Sequence, residues 1–288
     1  MHDFEYKAPT SLDSLTSLLA EHGSRARVLA GGTDLIDHIR TGRFAPDVVV
    51  DIKRVPELSE IALSDGLLTI GAAVPCCRIY EHPEIGKHFA ALVDSASIIG
   101  GIQIQNRATL GGNLCTASPA ADSIPALIAL SAEICVLSGD EVRRVDAADF
   151  CSSPGQTVLD VGGVVTAVEI PLPAVRTGSH YRRFIPRNEM DIAVVGVGVS
   201  VQLSEDFSAF ESVRVALGAV APTPLLVREI SDELAGATIE DGISRAVKIA
   251  RSAASPIDDM RGTREFRLHV VGVLVERALR EAVDRTSC

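Results

Sequence analysis

The residues best suited to chemistry in this chain sit around two glycine pairs. Leu29-Ala30-Gly31-Gly32-Thr33-Asp34 follows a run that reads as a strand. Thr109-Leu110-Gly111-Gly112-Asn113 lies between Gln103-Ile104-Gln105-Asn106-Arg107 and Cys115-Thr116-Ala117-Ser118-Pro119. Glycine lets backbone approach a ligand closely and turn successive N–H groups into one concavity, while Thr, Ser and Asn add side-chain donors. That donor set suits a diphosphate. Paired glycines also occur in plain turns, so neither loop is diagnostic by itself. A third pattern, Val195-Gly196-Val197-Gly198-Val199-Ser200-Val201, has valine where a dinucleotide fingerprint needs its third glycine, and it lies inside an apolar run. It reads as a strand whose glycines admit a close neighbour. The chain carries no NAD-binding fingerprint.

Other reactive side chains offer less. Asp122, early in an apolar helix, suits a cap or a partner of the helix dipole. Arg183 and Arg187 flank Phe184 and read equally as surface charges, and Asp191 reads as a turn residue. His22, His38 and His82 stand in polar contexts and read as solvated, so no general base is assigned. No Ser-His-Asp or Cys-His spacing supports hydrolysis. The six cysteines (Cys76, Cys77, Cys115, Cys135, Cys151, Cys288) form neither a C-x-x-C pair nor a C-x4-C-x2-C run, so spacing encodes no zinc or iron–sulfur site. They read as reduced thiols of a cytoplasmic protein.

Charge narrows how a phosphate ligand could be held. The net charge of −11 repels nucleic acid and anionic membranes, so local backbone donors and placed arginines must do the work. No stretch reaches 18 uncharged apolar residues, which predicts no membrane span. The first residues lack a basic segment followed by an apolar core, so no secretory leader is expected.

The elements that must position these loops follow from periodicity. Thr10-Ser11 can cap a helix with Leu12, Leu15, Leu18 and Leu19 on one face, stopped at Gly23. Strands are expected over 27–30 and 47–52, then over 67–72, with helices over 87–97 and 124–131. Ser138-Gly139-Asp140 suits a hairpin turn between strands at 133–137 and 141–145. A strand over 164–170 stops at Pro171 and Pro173, and a boundary is expected at 174–179. Beyond it, strands at 181–185, 192–203 and 212–220 suggest an antiparallel sheet. Helices are expected at 225–234, 241–252 and 263–283, the last with one core-facing stripe.

The ordered set of motifs is far more specific than its members. It comprises the Ala30–Asp34 loop, Leu68-Thr69-Ile70-Gly71-Ala72, Gln105–Asn113, Thr116–Asp122, Val168–Pro171, Tyr181–Arg187 leading to Asp191, and Asp259–Thr263 leading to Phe266-Arg267. Over essentially its whole length the chain resembles the FAD-binding medium subunit of the molybdenum hydroxylases, the group of xanthine dehydrogenase and carbon monoxide dehydrogenase. The resemblance implies an α+β fold: a two-lobed FAD domain of the vanillyl-alcohol-oxidase type over 1–175 (lobes about 1–55 and 56–175), then a sheet-and-helix domain over 179–286. It implies that Val28, Leu29, Ala30, Gly31, Gly32, Thr33, Asp34 and Leu35 wrap the FAD diphosphate. Thr109, Gly111, Gly112 and Asn113 would hold its other side and border the flavin. Ile99 and Gly101 would lie near the ring system, Asp122 would accept hydrogen bonds from the cofactor, Val165 would line the site, and Arg183 stands where the family commonly has lysine. Val74-Pro75-Cys76-Cys77 departs from the Thr-Thr usual after the Gly71-Ala72 strand, which puts donor contacts there in doubt. No cysteine-rich insertion is present.

The implied function is electron transfer. A small partner with two [2Fe–2S] clusters would supply electrons, a large partner would carry the molybdenum cofactor, and the assembly would be a dimer of heterotrimers acting on an N-heteroaromatic or similar small substrate. No metal or catalytic residue is assigned to this chain. The alternatives are a self-sufficient vanillyl-alcohol-type oxidase and a non-enzymatic FAD-binding assembly or sensor protein.

Overall fold

The computed structural model describes residues 3–287, so Cys288 lies outside the described residues. The first lobe is a three-stranded parallel sheet, β1 (Glu5–Lys7), β2 (Ala26–Leu29) and β3 (Val48–Asp51), in the order β1-β3-β2. Central β3 is buried at every residue, hence its unbroken Val-Val-Val run. Helix α1 (Leu12–His22) begins as expected at Ser11, whose hydroxyl accepts the Ser14 N–H at 3.2 Å, and it buries Leu15 and Leu19 on the sheet. Strand β1, with charged ends and three residues, carries too little pattern to be read from sequence. Helix α2 (Leu35–Arg40) follows the first glycine loop.

The second lobe is an antiparallel sheet of β4 (Ile61–Ser64), β5 (Leu67–Gly71), β6 (Glu133–Ser138), β7 (Glu141–Asp146) and β10 (Val164–Pro171), ordered β4-β5-β10-β6-β7. Gly139, at φ +59°, makes the tight β6–β7 turn as its sequence suggests. A small hairpin, β8 (Cys151–Ser153) and β9 (Gln156–Thr157), has no counterpart in the sequence expectations. The helices are α3 (Cys76–Tyr80), α4 (Pro83–His88), α5 (Ala90–Ala96), α6 (Ile102–Gln105), α7 (Leu110–Thr116) and α8 (Ser123–Ala129). The single helix expected over 87–97 is broken at Phe89, which leaves helical backbone (φ −127°, ψ 55°) while its ring is wholly buried. Burial of the ring wins there over continuation of the helix.

The remaining sheet is antiparallel, β11 (Thr177–Phe184), β12 (Val195–Leu203), β13 (Phe210–Gly218) and β14 (Leu225–Leu226), in that order. Strand β11 starts four residues earlier than expected. The helix expected from Leu225 is also shorter: Leu225 and Leu226 pair with Leu217 and Ala216, and only α9 (Arg228–Glu233) is helical. Pairing with β13 outweighs local propensity. Helices α10 (Ile239–Ala253) and α11 (Arg264–Asp284) pack their apolar stripes on this sheet, α11 starting at the Thr263 cap.

Helix α8 is wedged between the second lobe and the β12–β13 face. A methyl group on Gly198 would strike the Pro125 carbonyl, and one on Gly218 would lie 2.9 Å from Pro125 Cγ. The close neighbour expected for the β12 glycines is therefore this helix at Gly198, and the Tyr181 side chain at Gly196, where an added methyl would lie 2.7 Å from the hydroxyl.

Candidate functional site

The two glycine loops come from different lobes and meet. A methyl on Gly31 would collide with the Arg107 carbonyl, and Arg107 Nε donates to Gly31 O at 3.3 Å. Farther along the seam, Thr116 Oγ1 donates to Asp34 Oδ2 at 3.4 Å. Gly32 adopts φ +80°, where only glycine is unstrained. Gly111 lets α7 press against Ala72, the residue just after β5: an added methyl would fall 2.7 Å from the Ala72 oxygen. Thr109 caps α7 through the Gly112 N–H at 2.9 Å, and Asn113 Oδ1 accepts the Ser123 hydroxyl at 2.6 Å.

What this seam leaves open is a set of donors. Among the described residues, no protein acceptor meets the backbone N–H groups of Gly31, Gly32, Thr33, Asp34 and Leu35, nor that of Gly111. Orphan N–H groups on two facing loops, each opening a helix, form a concavity suited to a bridging anion. The residues present therefore fit the diphosphate of a dinucleotide cofactor.

A second cluster lies where β11 meets α8. Asp122 Oδ2 accepts from Arg183 Nη1 at 2.6 Å, and Oδ1 accepts from the Tyr181 hydroxyl at 2.8 Å. Sequence reasoning did not place Tyr181 in the site; the available signal was its i, i+2 spacing to Arg183 on one strand face. Burial pushes the Asp122 carboxyl up to about 6, against the opposing pull of the Arg183 guanidinium and the Tyr181 hydroxyl. The folded state therefore binds this proton more tightly than the unfolded state. The stability linked to it is present below the ordinary value of 3.8 and is lost as pH rises through about 6. Denaturation of wild type and Asp122→Asn across pH 4–7 should show the wild-type advantage shrinking through that window. A constant difference would refute the assignment.

The other expected positions are dispersed. Ile99 and Val165 are buried in the second-lobe core, 9 % and 2 % exposed, so little of either side chain is open to a ligand. Gly101 begins α6 and faces Met190, whose sulfur would lie 3.3 Å from a methyl added to this glycine. Val28 and Leu29 belong to β2, with Ala30 leading into the loop. Asp191 is the expected turn residue, bonded to the Ile192 N–H at 2.8 Å and paired with Arg187 at 3.3 Å. His82 departs from expectation, because its Nδ1 is enclosed without a partner rather than solvated. Among the described residues, no cluster suited to a metal ion is present, and no helix is long and apolar enough to cross a membrane.

A two-lobed base with a facing pair of backbone anion loops, followed by an antiparallel-sheet domain, defines a flavin-binding architecture. Residues 2–173 match the FAD binding domain in molybdopterin dehydrogenase, and residues 180–282 match the CO dehydrogenase flavoprotein C-terminal domain. The chain belongs to this family and is an FAD-binding oxidoreductase subunit. It is 31% identical to the xanthine dehydrogenase FAD-binding subunit of Escherichia coli O157:H7, over 98% of this chain and 97% of the relative. It is also 31% identical to the carbon monoxide dehydrogenase medium chain of Hydrogenophaga pseudoflava, over 98% of each. Among solved structures, Cu,Mo-CO dehydrogenase in its cyanide-inactivated form matches with TM-score 0.94 at 27% identity, and quinoline 2-oxidoreductase from Pseudomonas putida 86 with TM-score 0.91 at 30%, each covering 99% of both chains.

Proposed function

We propose that this chain holds FAD across the seam between its first two lobes. The single observation that carries this reading is the facing pair of glycine loops with unpaired N–H groups. Gly31–Leu35 would receive the diphosphate from one side, and Thr109, Gly111, Gly112 and Asn113 from the other. Asp122 and Arg183 would border the flavin end as a paired, buried charge set, with Ile99, Gly101 and Val165 contributing backbone and packing. FAD supplies the ability to gather single electrons and release a pair. The protein's share is to bind it, orient it and keep water from its buried face.

Electrons would arrive from [2Fe–2S] clusters of a small partner and leave to an external acceptor, with the molybdenum cofactor on a large partner. A dimer of heterotrimers in the cytoplasm, acting on an N-heteroaromatic, completes the proposal; the quinoline 2-oxidoreductase structure and the nicotinate dehydrogenase FAD-subunit of Eubacterium barkeri support that substrate class. Expressed alone, the chain should bind FAD without a covalent link and oxidise no organic substrate. Acid precipitation should leave the yellow colour in the supernatant, whereas a coloured pellet or an active lone subunit would overturn the reading.

A further inference from the structure

Strand β11 carries Tyr181 and Arg183 to Asp122, and it is the edge strand of its sheet, with β12 on one side only. An open edge leaves outward N–H and C=O groups that need partners. Here one carboxylate and one guanidinium close that edge. Asp94, on α5, accepts the outward Tyr181 N–H at 3.1 Å and His180 Nδ1 at 2.6 Å. Arg285, in the turn after α11, donates to Asp94 Oδ2 at 2.6 Å and Oδ1 at 3.3 Å, and to the outward Ser179 carbonyl at 3.0 Å. Ser179 Oγ in turn accepts the Ala91 N–H of α5 at 3.2 Å. Two segments distant in sequence, α5 of the second lobe and the turn after α11, thus converge on Ser179–Tyr181 of β11.

We propose that Asp94 and Arg285 are positioning residues for the cofactor site: their clamp on the open edge of β11 sets where Arg183 stands against Asp122. Ser179, Tyr181 and Arg183 lie on one face of the strand, about 13 Å from first to last at about 3.3 Å per residue. Anchored at Ser179 and Tyr181, the strand delivers the Arg183 guanidinium to a single place. With the clamp opened, β11 keeps its ladder to β12 and the Ser179–Ala91 contact, but the outward groups of Ser179 and Tyr181 lose the charged partners that fix the strand's open side, and Arg183 answers to the Asp122 pair with less support. The contacts are charge-assisted and only partly exposed, so they hold more firmly than an ordinary surface pair. Burial opposes the charged form of Asp94, yet the His180 and Arg285 contacts together hold its carboxyl below the ordinary carboxylate range.

The inference rests on the reading that Asp122 and Arg183 border the bound FAD. The test uses the full chain in its FAD-loaded complex and reads FAD affinity, the visible flavin spectrum and the flavin midpoint potential. Arg285→Ala should weaken FAD by about tenfold and move the potential in the same direction as Arg183→Ala. The double variant should add little to Arg183→Ala alone, because both act through one guanidinium. Arg285→Lys should recover part of the effect, and Asp94→Asn, nearly isosteric, provides a second route should Arg285→Ala fold poorly. Lower thermal stability with an unchanged flavin spectrum, potential and affinity would overturn the proposal, as would full additivity. An Arg183→Ala variant whose flavin is itself unchanged would instead refute the placement of Arg183 at the cofactor, and the clamp's role with it.

Discussion

Gly31→Ala should weaken FAD binding by about a hundredfold or more while most of the fold persists. The added methyl would occupy the place of the Arg107 carbonyl, which is backbone and has no rotamer to give. Relief requires one glycine loop to move away from the other, and those two loops present the orphan N–H groups that would converge on the diphosphate. Shifting one wall of a preformed anion site by even an ångström spoils several hydrogen bonds at once. Gly86 is the control: it has open space around it and no positive φ, so Gly86→Ala should leave FAD binding unchanged. Equilibrium dialysis with FAD, beside a thermal melt of the apo chain, separates cofactor loss from unfolding. Wild-type affinity in Gly31→Ala would mean that the two loops do not share the cofactor. Gly112→Ala should be milder, since its methyl would meet only the Thr109 hydroxyl, at 3.1 Å.

Arg267→Ala should cost about 3–5 kcal/mol of stability, measured by urea denaturation. This arginine is 3 % exposed, on the first turns of α11. It donates to Val194 O at 2.7 Å, to Ala219 O at 3.1 Å and to Asp259 Oδ1 at 2.7 Å, pinning the entry to β12, the exit of β13 and the Asp259–Gly262 turn. Removing it leaves the Val194 and Ala219 carbonyls without their donor and empties the space of a buried side chain, while Asp259 keeps the Arg261 N–H at 2.8 Å and contact with solvent. Asp259→Asn in the same chain should therefore restore little of the loss. Arg267→Lys should recover little, since one ammonium cannot span the positions that a planar guanidinium reaches. A loss below about 1 kcal/mol would show that water or neighbouring side chains replace the guanidinium readily.

The same arginine illustrates what the sequence could tell. The Asp259–Thr263 and Phe266-Arg267 motifs are visible as motifs, yet their purpose is not, because it depends on loops more than 40 residues away, at Val194 and Ala219. Elements with strong local signals are legible: the Ser11 cap, the Gly139 turn, the long stripe of α11 and the glycines of β12. Elements that answer to tertiary demands are not. Phe89 breaks a helix to bury its ring, β1 exists only because β3 offers an edge, and Leu225–Leu226 become a strand against β13. The candidate site divides in the same way. Each glycine loop announces itself, but that Gly31 abuts Arg107 and that Tyr181 shares Asp122 with Arg183 follow only from the folded chain.

The Asp94–Arg285 contact has a consequence for the timing of synthesis. Its two partners are 191 residues apart. At translation rates of about 5–20 residues per second, Asp94 emerges roughly 10–40 s before the arginine that closes its clamp. Both glycine loops will by then have left the ribosome, yet the edge of β11 stays unfastened. The clamp is therefore among the last contacts of the fold to close, after every strand of the three large sheets has been made.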